Sequence, residues 1–326
     1  MKNTNTYRSI FESFLNERRW GGEPASVYEP IQYILSIGGK RFRPVLTLLS
    51  GDTFGEVNAV HLEMALGIEV FHNFTLLHDD IMDQADLRRG QEAVHKKFGT
   101  NAAILSGDLM LILATQIINS ACHSMSDLDD VMELFLRVGQ EVCEGQERDM
   151  IFETAEDVSM DDYEEMVRQK TAVLLGFSLY AGARASGVSV EQANALYQFG
   201  VQSGIVFQIW DDYLDVFAED TTGKRAAGDI YNKKETCLII SLRDRMSNSD
   251  AEMFSQIWSG DKLIDSEVEF VKKLLDQYKI KDQIGRMART KIQEAKQNVN
   301  QFFPPDQLTS LFSFKINLLI AIISIF

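Results

Sequence analysis

Apolar residues recur at three- and four-residue spacing over most of the chain, and no stretch alternates convincingly with period two. This pattern predicts a nearly all-helical protein. Helices are expected over 7–19, 24–37, 44–54, 58–83, 101–121, 127–154, 161–186, 190–218, 236–246, 263–278 and 281–301, an all-α bundle. Local punctuation agrees. Ser189 followed by Gln192 is a capping-box pattern at a helix start, and Pro44 sits where a first turn tolerates a missing N–H. Gly38-Gly39 and Gly223 break the pattern where loops are wanted. No Pro/Gly/Ser-rich linker or low-complexity tract interrupts residues 1–326, so a single domain is expected.

Composition narrows the function classes. With 45% hydrophobic residues in 326, the chain can bury a sizeable core. Its 48 acidic residues against 32 basic give a net charge of -16, which repels nucleic-acid phosphates and makes any basic cluster informative. Cys122, Cys143 and Cys237 form no CxxC or zinc spacing and are expected to be buried thiols in a reducing compartment. The N-terminal sequence MKNTNTYRSIFESFLNERRW is too charged for a signal peptide, so a cytoplasmic protein is expected. The apolar run Leu318–Phe326 falls short of the ~20 residues a membrane span needs, and is expected to be a buried helix end or a subunit contact.

The candidate chemistry lies in two acidic clusters, DDIMD (Asp79, Asp80, Asp83) and DDYLD (Asp211, Asp212, Asp215), 132 residues apart. In a helix the first and last aspartates of each stand one turn apart. Like charges at that spacing repel unless a cation neutralises them, and hard oxygen ligands suit Mg²⁺. A lone DDxxD is often a solvated acidic face. Here both clusters emerge from apolar helices, after FHNFTLL and GIVFQIW. Basic residues then suggest what the metal would accompany. Lys40, Arg41 and Arg43 lie in GGKRFRP, and Arg88 and Arg89 in DLRRG; guanidinium forks bind phosphate oxygens, and glycine lets backbone approach an anion. GGKRFRP is not a Walker A loop, which requires GxxxxGK[ST]. Together these groups describe a cavity for two diphosphates, one held through metal and one held directly.

At this point the sequence resembles the trans-isoprenyl (polyprenyl) diphosphate synthases, the farnesyl and geranylgeranyl diphosphate synthase family. GGKRFRP, LLHDDIMDQADLRRG, GQERD, QKTA, FQIWDDYLD and the lysines of TGKRAAGDIYNKK occur in the family's order, from Gly38 to Lys234 and more loosely to about residue 300. The resemblance implies mostly antiparallel helices around a central cavity, usually in a homodimer. It implies that Asp79, Asp80, Asp83, Asp211, Asp212 and Asp215 hold about three Mg²⁺ ions that clamp an allylic diphosphate. Lys40, Arg43, His72 and Arg89 resemble the isopentenyl diphosphate site. Arg88, Lys170 and Lys224 resemble direct ligands of the allylic diphosphate, and Lys234, preferred over Lys233, a further phosphate contact. Gln146 and Asp149 resemble the family's polar pair near the metals. The implied reaction is ionisation of the allylic C–O bond, attack by the isopentenyl double bond and loss of a proton, with Lys170, Thr171 and Gln208 around the cation.

Phe74 lies about 7.5 Å below Asp79 at 1.5 Å per residue and would close the cavity. With the small Thr75 beside it, no insertion within DDIMD, and Phe71 as a candidate floor one turn further down, the family pattern resembles a geranylgeranyl (C20) synthase. Farnesyl or longer products, a non-catalytic partner subunit and a class I terpene cyclase are the competing readings. The apolar C-terminal tail departs from the charged helix with which the family usually ends.

Overall fold

Helix α1 (Thr4–Glu17) is followed by α2 (Ala25–Ser36), α3 (Phe42–Phe54) and α4 (Ala59–Met82); after a hairpin of β1 (Leu87–Arg88) and β2 (Gln91–Glu92) come α5 (Val94–Phe98), α6 (Thr100–His123) and α7 (Asp129–Phe152). The chain continues through α8 (Met160–Val167), a π-helical turn (Arg168–Ala172), α9 (Val173–Ala185), α10 (Val190–Phe217), α11 (Gly228–Tyr231), α12 (Cys237–Arg243), α13 (Asn248–Trp258), α14 (Asp265–Gln277) and α15 (Ile280–Val299). These elements belong to a computed structural model that describes residues 3–125, 127–155, 157–217, 227–259, 263–304, 306–309 and 311–312. The expectations for Gly223 and for the tail 318–326 lie outside the described residues.

Each helix expected from the periodicity is present, with ends moved by a few residues. The stretch expected as one helix over 161–186 is helical throughout but widens to a π turn over Arg168–Ala172. The hairpin, α5, α11 and α13 lie outside the expected ranges. The hairpin turns on Arg89 (φ 53) and Gly90 (φ 77), both left-handed, as a two-residue type I′ loop requires. Caps follow the local chemistry. Asn58 accepts from the N–H groups of Val60 and His61 to open α4, and Ser189 Oγ accepts from Gln192 N–H to open α10.

By internal contacts the chain divides into two units that interleave in sequence. The first comprises the chain up to Leu136, Phe177–Tyr197 and the described residues from Phe303. Its centre is α4, which buries Met64, Leu66, Ile68, Val70 and Phe71 against α3 and α6. Gly67 makes the α4–α6 approach possible, because a Cβ there would lie 2.5 Å from Ile118 Cγ1. Helix α6 has the length and hydropathy to cross a membrane, and in this unit it packs one side against α2, α4 and α5, with 39% of that apolar window buried.

The second unit comprises Arg137–Gly176 and Gln198–Phe302. Helix α12 buries Cys237, Leu238, Ile239 and Ile240 against α8, α14 and α15. Cys122 and Cys237 are buried as expected, but Cys143 is exposed. Its helical neighbours Gln140 and Glu147 are exposed too, which places position 143 on the polar stripe of α7.

Candidate active site

The GGKRFRP loop enters α3 through three unusual backbone conformations, Gly38 (φ 85), Gly39 (φ 148) and Arg41 (φ 49). A Cβ on Gly39 would lie 2.5 Å from Arg89 Nη1, so glycine is what lets the hairpin arginine reach the loop, where it donates to Gly38 O. Arg43 Nη1 lies 3.0 Å from His72 Nε2. A guanidinium only donates, so Nε2 is the acceptor and His72 is neutral with its proton on Nδ1. Burial, followed by the charges of Arg43, Arg89, Arg88 and Arg41, holds His72 well below the usual histidine range. Arg43 is lowered to about 10 by burial, against the opposing pull of Glu69. Of the expected isopentenyl diphosphate ligands, Arg43, His72 and Arg89 are thus brought together, and Lys40 stands exposed beside buried Arg41.

The first aspartate cluster ends α4, with Asp83 as its C-cap, N–H to Asp79 O at 2.8 Å. The three carboxylates are not equivalent. Asp80 is 1% exposed and accepts from Arg88 Nε through both oxygens at 3.0 Å, while Arg88 Nη2 also approaches Asp79 Oδ2 at 3.6 Å. Arg88 is buried enough to lose basicity, but Asp80, Asp79 and Asp83 outweigh this and raise it. Asp79 is half-buried and Asp83 exposed.

In the second unit Asp211 is exposed and Asp212 is 5% exposed. Asp212 accepts from Tyr163 Oη at 2.6 Å and from Gln208 Nε2 at 2.9 Å. Burial pushes its carboxyl up to about 7 against those hydrogen bonds, with the charges of Asp229 and Asp211 adding to the rise. The Gln208 amide nitrogen is thereby committed, leaving its carbonyl oxygen as the group able to face a cation. Asp215 Oδ2 accepts from Asp229 N–H at 2.9 Å. Burial raises Asp229 as well, and Asp215, Asp211 and Asp149 outnumber its opposing cation, Lys234, whose Nζ is 3.8 Å away. Lys170 donates to Asp149 at 2.5 Å from within the π turn that also carries half-buried Thr171. Gly145 makes room for that turn, since a Cβ there would lie 2.3 Å from the Lys170 nitrogen. π turns of this kind recur at functional sites. Gln146 Nε2 is buried without a hydrogen-bond partner. Lys224 lies outside the described residues.

Divalent metal fits this donor set. Among the described residues no three acidic, histidine or cysteine groups form a ready-made cage. Mg²⁺ does not need one, because it binds through one or two carboxylates and completes its shell with water and phosphate. Burial is the main cause of the raised Asp229 carboxyl; Asp215, Asp211 and Asp149 add to it against Lys234, and a bound cation would offset that added repulsion.

The expected chain-length rings, Phe71 and Phe74, join one edge-to-face aromatic cluster in the first unit. Phe74 is 5.5 Å from Phe71 between centroids, Phe71 is 5.4 Å from Phe135, and Phe135 is 5.5 Å from Phe177. Thr75 Oγ1 donates to His72 O at 2.8 Å. Phe135 and Phe177 escaped the sequence reading, as did Glu69, Tyr163 and Asp229. Only two of these left a signal: Glu69 is an acid inside the apolar run LGIEVFHNF, and Asp229 stands beside the lysines of GDIYNKK.

Comparison with known proteins gives the same direction. The geranylgeranyl pyrophosphate synthase of Geoglobus acetivorans is 37% identical over 277 residues, covering 85% of each chain. The geranylfarnesyl diphosphate synthase of Natronomonas pharaonis is 34% identical over 255 residues, 73% of this chain and 75% of the relative. A crystal structure of a geranylgeranyl pyrophosphate synthase superposes with a TM-score of 0.89 at 36% identity, covering 98% of both chains. The Polyprenyl synthetase family model matches residues 24–277, and the chain belongs to that family of prenyltransferases.

Proposed function

We propose that the chain condenses isopentenyl diphosphate head to tail with an allylic diphosphate (dimethylallyl, geranyl or farnesyl), and that its main product is geranylgeranyl diphosphate. The observation that carries this reading is the arrangement on and around α4, where Arg43 contacts neutral His72, the charges of Arg89, Arg88 and Arg41 also reach it, and an aspartate cluster ends the same helix. Such a helix offers direct cations to one diphosphate and carboxylates for a metal to the other.

Arg43 and Arg89, with Lys40, bind the isopentenyl diphosphate, and His72 contributes a neutral Nδ1–H donor. Asp79 and Asp83 in the first cluster, and Asp211 and Asp215 in the second, would hold Mg²⁺. Bound Mg²⁺ neutralises the allylic diphosphate and so favours cleavage of its C–O bond. Asp80 and Asp212 are supported as organisers of the two clusters by their hydrogen bonds to Arg88, Tyr163 and Gln208. Lys170, Lys234 and Lys224 bind the departing pyrophosphate, and the oxygens of Thr171 and Gln208 face the developing allylic cation. Gln146 and Asp149 support this side of the site, the latter through its ion pair with Lys170.

The Phe74–Phe71–Phe135 cluster supports a closed floor and hence a C20 limit. A C25 product is the second reading, supported by the geranylfarnesyl diphosphate synthase relative. The chain acts as one synthase domain, since the family match runs continuously through parts of both units. It acts as a homodimer; Leu105 and Ile112, one stripe of α6, are 56% and 53% exposed and offer an apolar face to a second copy. Its location is the cytoplasm, where the free thiols Cys122 and Cys237 stay reduced. The test is incubation with isopentenyl and farnesyl diphosphates, with magnesium or with chelator. Magnesium-dependent appearance of an extended diphosphate supports the reading, and its absence under both conditions refutes it.

A further inference from the structure

Glu69 lies on α4 one turn before His72 and is 2% exposed. Its Oε1 accepts from Arg41 Nη1 at 2.6 Å and from Asn73 Nδ2 at 3.1 Å, and the same Asn73 nitrogen donates to the Glu69 carbonyl at 2.8 Å. Arg41, itself 5% exposed, commits its other terminal nitrogen to Leu35 O at 2.7 Å. Taking two charges out of water costs more than their attraction usually returns, and such pairs are best attested where they fix a geometry. The geometry in question is visible. Arg41 is the left-handed residue that opens α3, a conformation uncommon for a residue with a Cβ, and it lies between Lys40 and Arg43.

We propose that Glu69 is a positioning residue for isopentenyl diphosphate: through Arg41 it pins the left-handed turn that presents Lys40 and Arg43, without touching substrate itself. The inference rests on reading the Arg43–His72–Arg89 cluster as the isopentenyl diphosphate site. It has a sign that a purely electrostatic role would reverse. The Glu69 charge also acts on Arg43 and Arg89, so if charge alone mattered, neutralising it would leave the cluster more positive and tighten diphosphate binding.

The experiment is steady-state kinetics of the full chain with magnesium, isopentenyl diphosphate and farnesyl diphosphate, on Glu69→Gln, Arg43→Ala and the double variant Arg41→Met/Glu69→Leu. Glu69→Gln is expected to raise KM for isopentenyl diphosphate about tenfold or more, with kcat and the allylic KM held within about twofold. The double variant removes both buried charges and is expected to melt close to wild type while its isopentenyl diphosphate KM stays high. It decides the matter should Glu69→Gln fail to fold. An unchanged or lowered KM in a folded Glu69 variant, with Arg43→Ala raised, overturns the inference and leaves the site reading intact. An unchanged KM in Arg43→Ala overturns the site reading and the inference with it.

Discussion

Arg88 holds Asp80 through both carboxylate oxygens, its Nε 3.0 Å from each, so the second aspartate of DDIMD has its counter-ion inside the protein. Asp79 and Asp83 stand one helical turn apart and are more exposed, and the metal contact is proposed for them. The second cluster repeats the division, with Asp212 held by Tyr163 and Gln208 and Asp211 exposed.

The division separates two kinds of variant. Asp79→Ala and Asp211→Ala are expected to keep wild-type helicity and melting while turnover falls about 10³-fold or more, the loss of several kcal/mol of metal-assisted stabilisation. Asp80→Ala is expected to lose turnover and melting temperature together, because it strands a half-buried guanidinium. Circular dichroism with steady-state assays checks both, and full turnover in the first pair would refute the metal assignment.

Phe74→Ala is expected to lengthen the product, by removing the ring nearest the aspartates from the cluster. Phe71→Ala, at a site 1% exposed and wedged between Phe74 and Phe135, is expected to cost stability first, about 3–5 kcal/mol. Chromatography of dephosphorylated products and denaturant melts read the two effects. An unchanged product distribution for Phe74→Ala removes that residue from the chain-length argument.

Gly145→Ala places a methyl 2.3 Å from the Lys170 nitrogen, a backbone atom that has no rotamer to escape into. It is expected to cost about 1–3 kcal/mol and to lower kcat by displacing Lys170 and Thr171. Wild-type stability with wild-type kcat would show that the π turn tolerates the methyl.

His72 gives stability a pH dependence of known sign. Its folded-state pKa is depressed below the usual value by burial and four guanidiniums. Its contribution is therefore full above the unfolded value of about 6.5 and is lost as pH falls from there toward the folded pKa, at about 1.4 kcal/mol per pH unit. His72→Gln is expected to flatten the acid limb of stability against pH by up to one proton. Identical limbs would mean that His72 is not held neutral.

The legible parts of this protein were those with strong local signals. Helices α4 and α10 show sustained apolar periodicity and end in acidic clusters, so both the elements and their chemistry could be read from spacing. Helix α13 was not read, because NSDAEMFSQIW buries only Phe254 and its signal is a Ser247 cap. The hairpin is two residues per strand, too short for any alternation to register. The π turn depends on the bare backbone of Gly145 across the unit, and the roles of Tyr163, Phe135 and Glu69 depend on partners 25 or more residues away. Such pairings are made by packing, to which a single sequence gives no direct access.

The most direct test of C20 chain elongation is incubation of the purified chain with labelled isopentenyl diphosphate, dimethylallyl diphosphate and magnesium, followed by sizing of the dephosphorylated products. Label accumulating in a C20 alcohol, and vanishing with chelator, is the expected result. Label stopping at C15 or running to C25 and beyond would contradict the chain-length account, and no extended product at all would contradict the proposed reaction.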